Sequence, residues 1–326
     1  MIAVVGGAGY IGSHAVKYLI EQGEQVVVFD NLCTGHLELV HNDAEFLKGD
    51  LASLEDLHTL FTQYSITSVM HFAAFAYVGE SVLNPAKYYH NNLANTMNLL
   101  DVMLQNNVKN IVFSSTCATY GNPIVLPITE EHPQNPINPY GRTKLMMEQL
   151  MEDYSTAYGL KYVALRYFNA AGADKDGTIG EWHEPESHLI PLVLDVALGK
   201  SDSINVFGSD FDTSDGTCVR DYIHVVDLAD AHYKALQFLR EEQKSLQLNL
   251  ANGEGYSNLE VIKMVEQVAK KTIQYQLTER RPGDPSQLIG CADKAKSIIN
   301  WVPKYNLEQI IESAWVWHQK KFGGVI

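Results

Sequence analysis

The sequence predicts an α/β protein, a doubly wound parallel sheet followed by a second, smaller α/β domain. Three observations predict it. Short apolar runs alternate with amphipathic helical patterns through the first half. A glycine-rich turn, Gly6-Gly7-Ala8-Gly9-Tyr10-Ile11-Gly12, stands between the first run and the first helix. After about Asn169 the alternation lapses, and Gly, Asp and Ser punctuate residues 172–216.

The apolar runs fall at 2–5, 25–30, 45–48, 68–72, 110–114 and 162–167. They are nearly continuous, as strands covered by helices on both faces require. Helical patterns at 11–22, 53–64, 85–105 and 140–158 separate them, and 130–140, with three prolines, reads as a loop. At 326 residues the chain exceeds the size at which one core usually stops growing. The expected domains are therefore 1–170 and 171–326, with 216–240, a short strand and a helix, packing back on the first.

A net charge of −15 repels polyanions and excludes nucleic acid as a partner by default. No apolar stretch approaches the roughly 18 residues that span a bilayer. Cys33, Cys117, Cys218 and Cys291 show no CxxC spacing, which fits a reducing compartment. The chain begins on an apolar strand with no basic n-region, so a cytoplasmic location is expected.

The glycine turn has the context of a dinucleotide site. Glycines permit close backbone approach, and a helix N-terminus stabilises a pyrophosphate. Asp30 ends the second strand 18 residues beyond Gly12, where a carboxylate can hold a ribose 2′-OH and repel a 2′-phosphate. No arginine follows in 31–36, so NAD is expected over NADP. Asp50-Leu51 offers an adenine contact.

Tyr140 and Lys144 are spaced i, i+4 at the start of a helix, which puts phenol and ammonium on one face. A neighbouring Lys cation, joined by the positive nicotinamide of NAD, favours the phenolate and suits Tyr140 to be an acid–base group, while Lys144 can also hold the nicotinamide ribose. Thr116 ends a strand at the sheet's carboxyl edge, where its hydroxyl can share in proton transfer. His183-Glu184 and His188 miss the HExxH spacing, so no metal is expected. Cys117 reads as a small buried hydrophobe. Leu93, Met97, Leu100 and Leu104, and Met146, Met147, Leu150 and Met151, form stripes on two helices that could pair as a homodimer seam.

Together these residues resemble the extended short-chain dehydrogenase/reductase family. His71-Phe-Ala73, Val78-Gly-Glu-Ser81, Arg166-Tyr-Phe-Asn169, Val219-Arg-Asp-Tyr-Ile-His224 and the segment 280–284 extend the resemblance, within it, to the UDP-glucose 4-epimerases over nearly the whole chain. The resemblance implies a Rossmann-like NAD domain and C4 epimerisation of UDP-galactose and UDP-glucose, with activity on the N-acetylated sugars also open. It implies NAD contacts at Gly6, Gly9, Tyr10, Ile11, Gly12, Asp30, Asn31, Asp50, Leu51, Phe72, Ala73, Asn91, Lys144 and Phe168. It implies UDP-sugar contacts at Asn169, His188, Leu189, Phe207, Arg220, Arg281 and Asp284, with Leu288 beside the sugar's C2 substituent. This chain departs from the family in three places. Thr116 stands where Ser is common, Ala76 replaces a lysine of some members, and His188 replaces an Asn. Cys117-Ala118 follow Thr116 where related dehydratases carry Asp and Glu, which favours a redox-neutral reaction. An intact Tyr140–Lys144 pair argues against a non-catalytic NAD sensor.

Overall fold

The computed structural model describes residues 1–281 and 283–323. Pro282, inside the 280–284 segment, and the last three residues of the expected second domain lie outside the described residues. In chain order the first half gives β1 (Ile2–Val5), α1 (Tyr10–Glu21), β2 (Val26–Asp30), β3 (Glu45–Lys48), α2 (Leu54–Gln63) and β4 (Ser68–His71). It continues with α3 (Val78–Leu83), α4 (Pro85–Tyr88), a π-helical turn (Tyr89–Ala94), α5 (Asn95–Gln105), β5 (Asn110–Thr116), α6 (Pro139–Tyr158) and β6 (Lys161–Tyr167). The second half gives β7 (Asn169–Ala171), α7 (Leu189–Ala197), β8 (Ile204–Phe207), β9 (Val219–Arg220), β10 (Tyr222–His224) and α8 (Val225–Glu242). Then come β11 (Leu246–Leu250), β12 (Tyr256–Ser257), α9 (Asn258–Ala269), β13 (Tyr275–Thr278), β14 (Gln287–Leu288), α10 (Asp293–Ile299) and α11 (Leu307–Phe322).

Seven parallel strands form the central sheet in the order β3-β2-β1-β4-β5-β6-β11. This is the doubly wound arrangement expected from the alternation of elements. One face is sealed by α2, α5 and α6 through Leu57, Leu60, Leu99, Met103, Met147 and Met151. The other is sealed by α1, α8 and α10 through Val16, Leu19, Leu228, Leu236 and Ala295. Both faces being covered explains why the strands read as unbroken apolar runs. A third core joins α7, α9 and α11 over β8 and β10.

Three expectations change. The single helix expected at 85–105 is interrupted. Pro85 opens α4, and the chain widens into the π-helical turn before α5. Strand β11, expected outside the first domain, pairs in register with β6 as the sheet's last strand. The Leu and Met stripes also divide: Leu100, Met147 and Met151 are core at 0% exposure, while Met97 and Met146 are 42% and 39% exposed. Met151 is therefore no seam residue, because its side chain faces the sheet.

Candidate active site

The sheet order reverses between β1 and β4, and ligands of open α/β sheets bind outside the strands' carboxyl ends at such a point. A cavity of about 420 Å³ opens there. The loop from β1 to α1 forms its floor. Gly6 holds φ +80, and a Cβ on it would lie 2.5 Å from Ala73 N, so only glycine fits against the end of β4. A Cβ at Gly12 would meet the Gly6 carbonyl at 2.1 Å, which is why α1 can start so close to the turn. Gly9 is different: its side faces the cavity and meets only the Gly6 carbonyl, at 3.4 Å.

Gly9 caps α1 without a side-chain acceptor, and the first turn of the helix carries no acidic residue. The N-terminal N–H groups and the positive end of the helix dipole are thus open to an anion. At the end of β2, Asp30 Oδ2 accepts the Ala8 N–H (3.0 Å) and Oδ1 accepts that of Leu32 (2.8 Å). Burial raises the Asp30 pKa, and these two N–H groups work against the shift. The carboxylate has acceptor capacity left for ribose hydroxyls. Beside it, Asn31 Nδ2 donates to Asp50 Oδ2 at 2.8 Å, which sets the wall beyond β3. An anion at the helix start and a diol on Asp30 make these residues a fit for a dinucleotide.

Helix α6 and strand β5 supply the reactive edge. Asn138 caps α6 by accepting the Gly141 N–H (2.8 Å), and Pro139 occupies the first turn, so Tyr140 projects from the helix start. Thr116, the last residue of β5, lines the same cavity, and its Oγ1 accepts the Ala118 N–H at 3.1 Å. Lys144 is buried and donates from Nζ to the Ser114 carbonyl (2.8 Å), with the Phe113 ring 4.9 Å away.

The electrostatics of these two groups are set by burial. Burial lowers the Lys144 ammonium to about 7, with Glu148 opposing the shift. Burial pushes the Tyr140 phenol well above its ordinary value; Tyr167 adds to this, and the Thr116 hydroxyl works against it. Within the protein itself burial therefore dominates the phenol.

Behind this edge lies a fixed support. Arg166 on β6 pairs with Glu148 on α6 at 2.6 Å, and both are buried. Ser115 on β5 donates to the same carboxylate. The helix bearing Tyr140 is thereby tied to the strand bearing Thr116.

All but two of the expected site residues line this one cavity. The exceptions are Phe207 and Arg281. Arg281 lies 4.8 Å over the Phe207 ring and reaches the cavity wall only through Asp284, at 3.0 Å. Arg220 stands across from Leu288 in the β9–β14 pair, with Asp284 at 3.7 Å from its Nη2. The sequence reading did not single out Tyr167, Tyr222 and Glu181, which also line the cavity, and it considered His183, another lining residue, only as a metal ligand. Glu181 and His183 come from the 181–188 stretch, tested only for one helical metal spacing. Cys117 is buried, and burial raises its thiol to about 12, in keeping with an inert hydrophobe.

A doubly wound sheet with an open glycine loop at its switch point and a Tyr/Lys pair over its carboxyl edge defines a dinucleotide-binding enzyme fold. The comparisons with known proteins narrow this. The chain belongs to the NAD dependent epimerase/dehydratase family, whose model matches residues 2–251. It is 53% identical over 320 residues to a UDP-glucose 4-epimerase of Halalkalibacterium halodurans, covering 98% of this chain and 96% of that one. Among solved structures, it is similar to UDP-glucose 4-epimerase from Brucella ovis in complex with NAD, at 47% identity and a TM-score of 0.94, covering 99% and 98% of the two chains. It is also similar to the UDP-Glc/GlcNAc 4-epimerase of Campylobacter jejuni, at 42% identity and TM-score 0.85, covering 98% and 99%. Among the described residues no helix is long and apolar enough to cross a membrane.

Proposed function

We propose that this chain interconverts UDP-galactose and UDP-glucose by reversible C4 epimerisation with tightly held NAD. The observation that carries the reading is the convergence of Tyr140, Thr116 and Lys144 in the cavity floored by the glycine loop. Residues 1–170, with 216–240 and strand β11, form the dinucleotide domain, and the remainder of 171–326 forms the sugar-nucleotide domain. Gly6, Gly9, Tyr10, Ile11 and Gly12 bind the pyrophosphate. Asp30 and Asn31 take the adenosine ribose, Asp50 and Leu51 the adenine. Phe72, Ala73, Asn91, Lys144 and Phe168 flank the nicotinamide end.

When bound there, NAD supplies reversible acceptance of a hydride from the sugar's C4. Tyr140 takes the C4 hydroxyl proton through its phenolate and gives it back to the same oxygen once the sugar has turned its other face. Thr116 holds the same hydroxyl and relays its proton to Tyr140. Lys144 anchors the nicotinamide ribose; its ammonium, together with the cofactor's positive ring, offsets the desolvation that raises the Tyr140 phenol. Asn169, His188, Leu189, Arg220 and Asp284 hold the UDP and keep the 4-keto sugar tethered as it turns over, with the Phe207–Arg281 pair backing Asp284 from outside the cavity. That anchoring supplies binding energy remote from the reacting carbon.

Incubating the purified protein with UDP-galactose, and resolving products by NMR with no dinucleotide added, tests this reading. UDP-glucose should accumulate to equilibrium with no net change in absorbance at the reduced-nicotinamide band. A requirement for stoichiometric dinucleotide, or loss of water from the sugar, refutes it.

The same reading includes a homodimer formed by the exposed Met97 and Met146 faces of α5 and α6, paired across a two-fold axis as a four-helix bundle. A cytoplasmic location follows from the reducing-type cysteine usage, all four being free.

A further inference from the structure

The connection between β7 and α7 holds a cluster of which the proposed epimerase chemistry uses only His188. Glu181, His183, Glu186 and His188 each present one ligand atom, and the four atoms lie within 4.8 Å of one another. His183 Nδ1 stands 3.4 Å from both Glu181 Oε1 and Glu186 Oε2. It is buried yet has no hydrogen-bond partner. His188 Nδ1 stands 2.9 Å from the same Glu181 oxygen. A cation about 2.0–2.1 Å from each of four tetrahedral ligands separates those ligands by about 3.3–3.4 Å. The four His–Glu contacts run from 2.8 to 3.4 Å, and no two of the ligand atoms lie more than 4.8 Å apart.

We propose that Glu181, His183, Glu186 and His188 form a binding site for a divalent cation of the zinc class, which staples the β7–α7 connection to the wall of the cavity. The ligand chemistry suits it. Two imidazoles and two carboxylates are ordinary zinc donors, and two neutral rings with two negative carboxylates balance a dication. The carboxylates are oriented as metal ligands usually are. Glu186 Oε1 accepts the backbone N–H of Ser187 (2.7 Å) and of His188 (2.8 Å), which turns Oε2 toward His183. Four protein ligands leave no open position, so the site is structural and not a second catalytic centre.

Its placement gives it a function. His188 immediately precedes Leu189, the first residue of α7, and the His183 ring meets Tyr10 of the glycine-loop helix edge-on at 6.1 Å. A bound cation would therefore fix the sugar-side wall against the dinucleotide-side floor. The inference builds on the proposed function only in saying which wall is held; the second ring nitrogen of His188 stays available to the sugar.

The test needs no turnover. The full-length purified protein is titrated with Zn²⁺ against a chromophoric chelator, and the zinc-loaded protein is examined by X-ray absorption. About one zinc per chain, bound by nitrogen and oxygen near 2.0–2.1 Å, is expected. His183→Gln and the near-isosteric Glu186→Gln should each weaken binding at least about 100-fold, beyond what changes outside the ligand set usually cost. Failure of the parent to compete with the chelator at micromolar zinc overturns the proposal. So does sulfur in the first shell, which would point to the free cysteines, and so does unweakened binding in folded Glu186→Gln. Should that variant not fold, absorption by the parent decides alone. Epimerase activity in a protein that binds no zinc would sink this inference and leave the proposed function standing.

Discussion

Replacing Tyr140 by Phe deletes one hydroxyl and leaves the ring in place. Within the protein that phenol meets mainly the Thr116 hydroxyl and the nearby Tyr167. Folding stability should therefore move by no more than about 0.5–1.5 kcal/mol, the net worth of one hydrogen bond. Turnover should move far more. A positioned acid–base group contributes about 10²–10⁴-fold, equivalent to about 2.7–5.4 kcal/mol of barrier at 1.36 kcal/mol per decade. The assay is conversion of UDP-galactose to UDP-glucose at saturating substrate, alongside the dinucleotide-to-protein ratio of the purified variant. That ratio should be unchanged, because the glycine loop and Asp30 are untouched. A variant that keeps its dinucleotide and retains more than about a tenth of parental kcat refutes the assignment of Tyr140. One that loses its dinucleotide shows instead that the phenol belongs to the binding surface.

Three further outcomes follow from the geometry. Leu288, facing the cavity beside Arg220, should admit an N-acetyl group at C2. Leu288→Tyr should then lose epimerisation of UDP-N-acetylgalactosamine selectively, by about 10–200-fold, with UDP-galactose turnover largely kept; equal losses on both sugars would count against it. Met97→Asp combined with Met146→Asp, both at exposed positions, should shift sedimentation toward monomer, and an unchanged dimer would put the interface elsewhere. Lys144, lowered to about 7, is charged in the folded protein below that pH and in the unfolded chain up to about 10.5. Stability should accordingly rise with pH between those values. Lys144→Met should stabilise the dinucleotide-free protein most below pH 7, by up to several kcal/mol, with the gain fading toward pH 10; a gain independent of pH in thermal melts would show the ammonium is not desolvated at a cost.

What was legible in the sequence is what short-range geometry dictates. The glycine loop, Asp30 at the end of β2 and the Tyr140–Lys144 spacing each depend on a few consecutive residues, and each lines the cavity. The parallel sheet covered on both faces followed from alternating strand and helix patterns. The π-helical turn was hidden because it is a change of hydrogen-bond span from i→i+4 to i→i+5 over six residues, too short a stretch for a hydrophobic period to register. Strand β11 was assigned to the wrong part of the chain because its partner β6 lies about eighty residues earlier, and no local pattern records that pairing. The same holds for Glu181, His183, Glu186 and His188. A curved loop brings them together, so a test built on helical spacing passed over them. Phe207 and Arg281 show the reverse case, where a motif placed residues near the site whose side chains turn to each other.

The buried Arg166–Glu148 pair has a consequence for how the pocket is divided mechanically. Breaking such a pair by removing one partner typically costs about 3–5 kcal/mol, so α6 and β5 should not separate during a catalytic cycle. A sugar that must show both faces of C4 to one hydride acceptor needs one stationary wall and one that yields. Here the stationary wall is welded from α6, β5 and β6, and compliance is left to the β9–β14 side. Variation in which sugars are accepted should thus accumulate on the yielding side, while the welded side sets the rate of the chemical step.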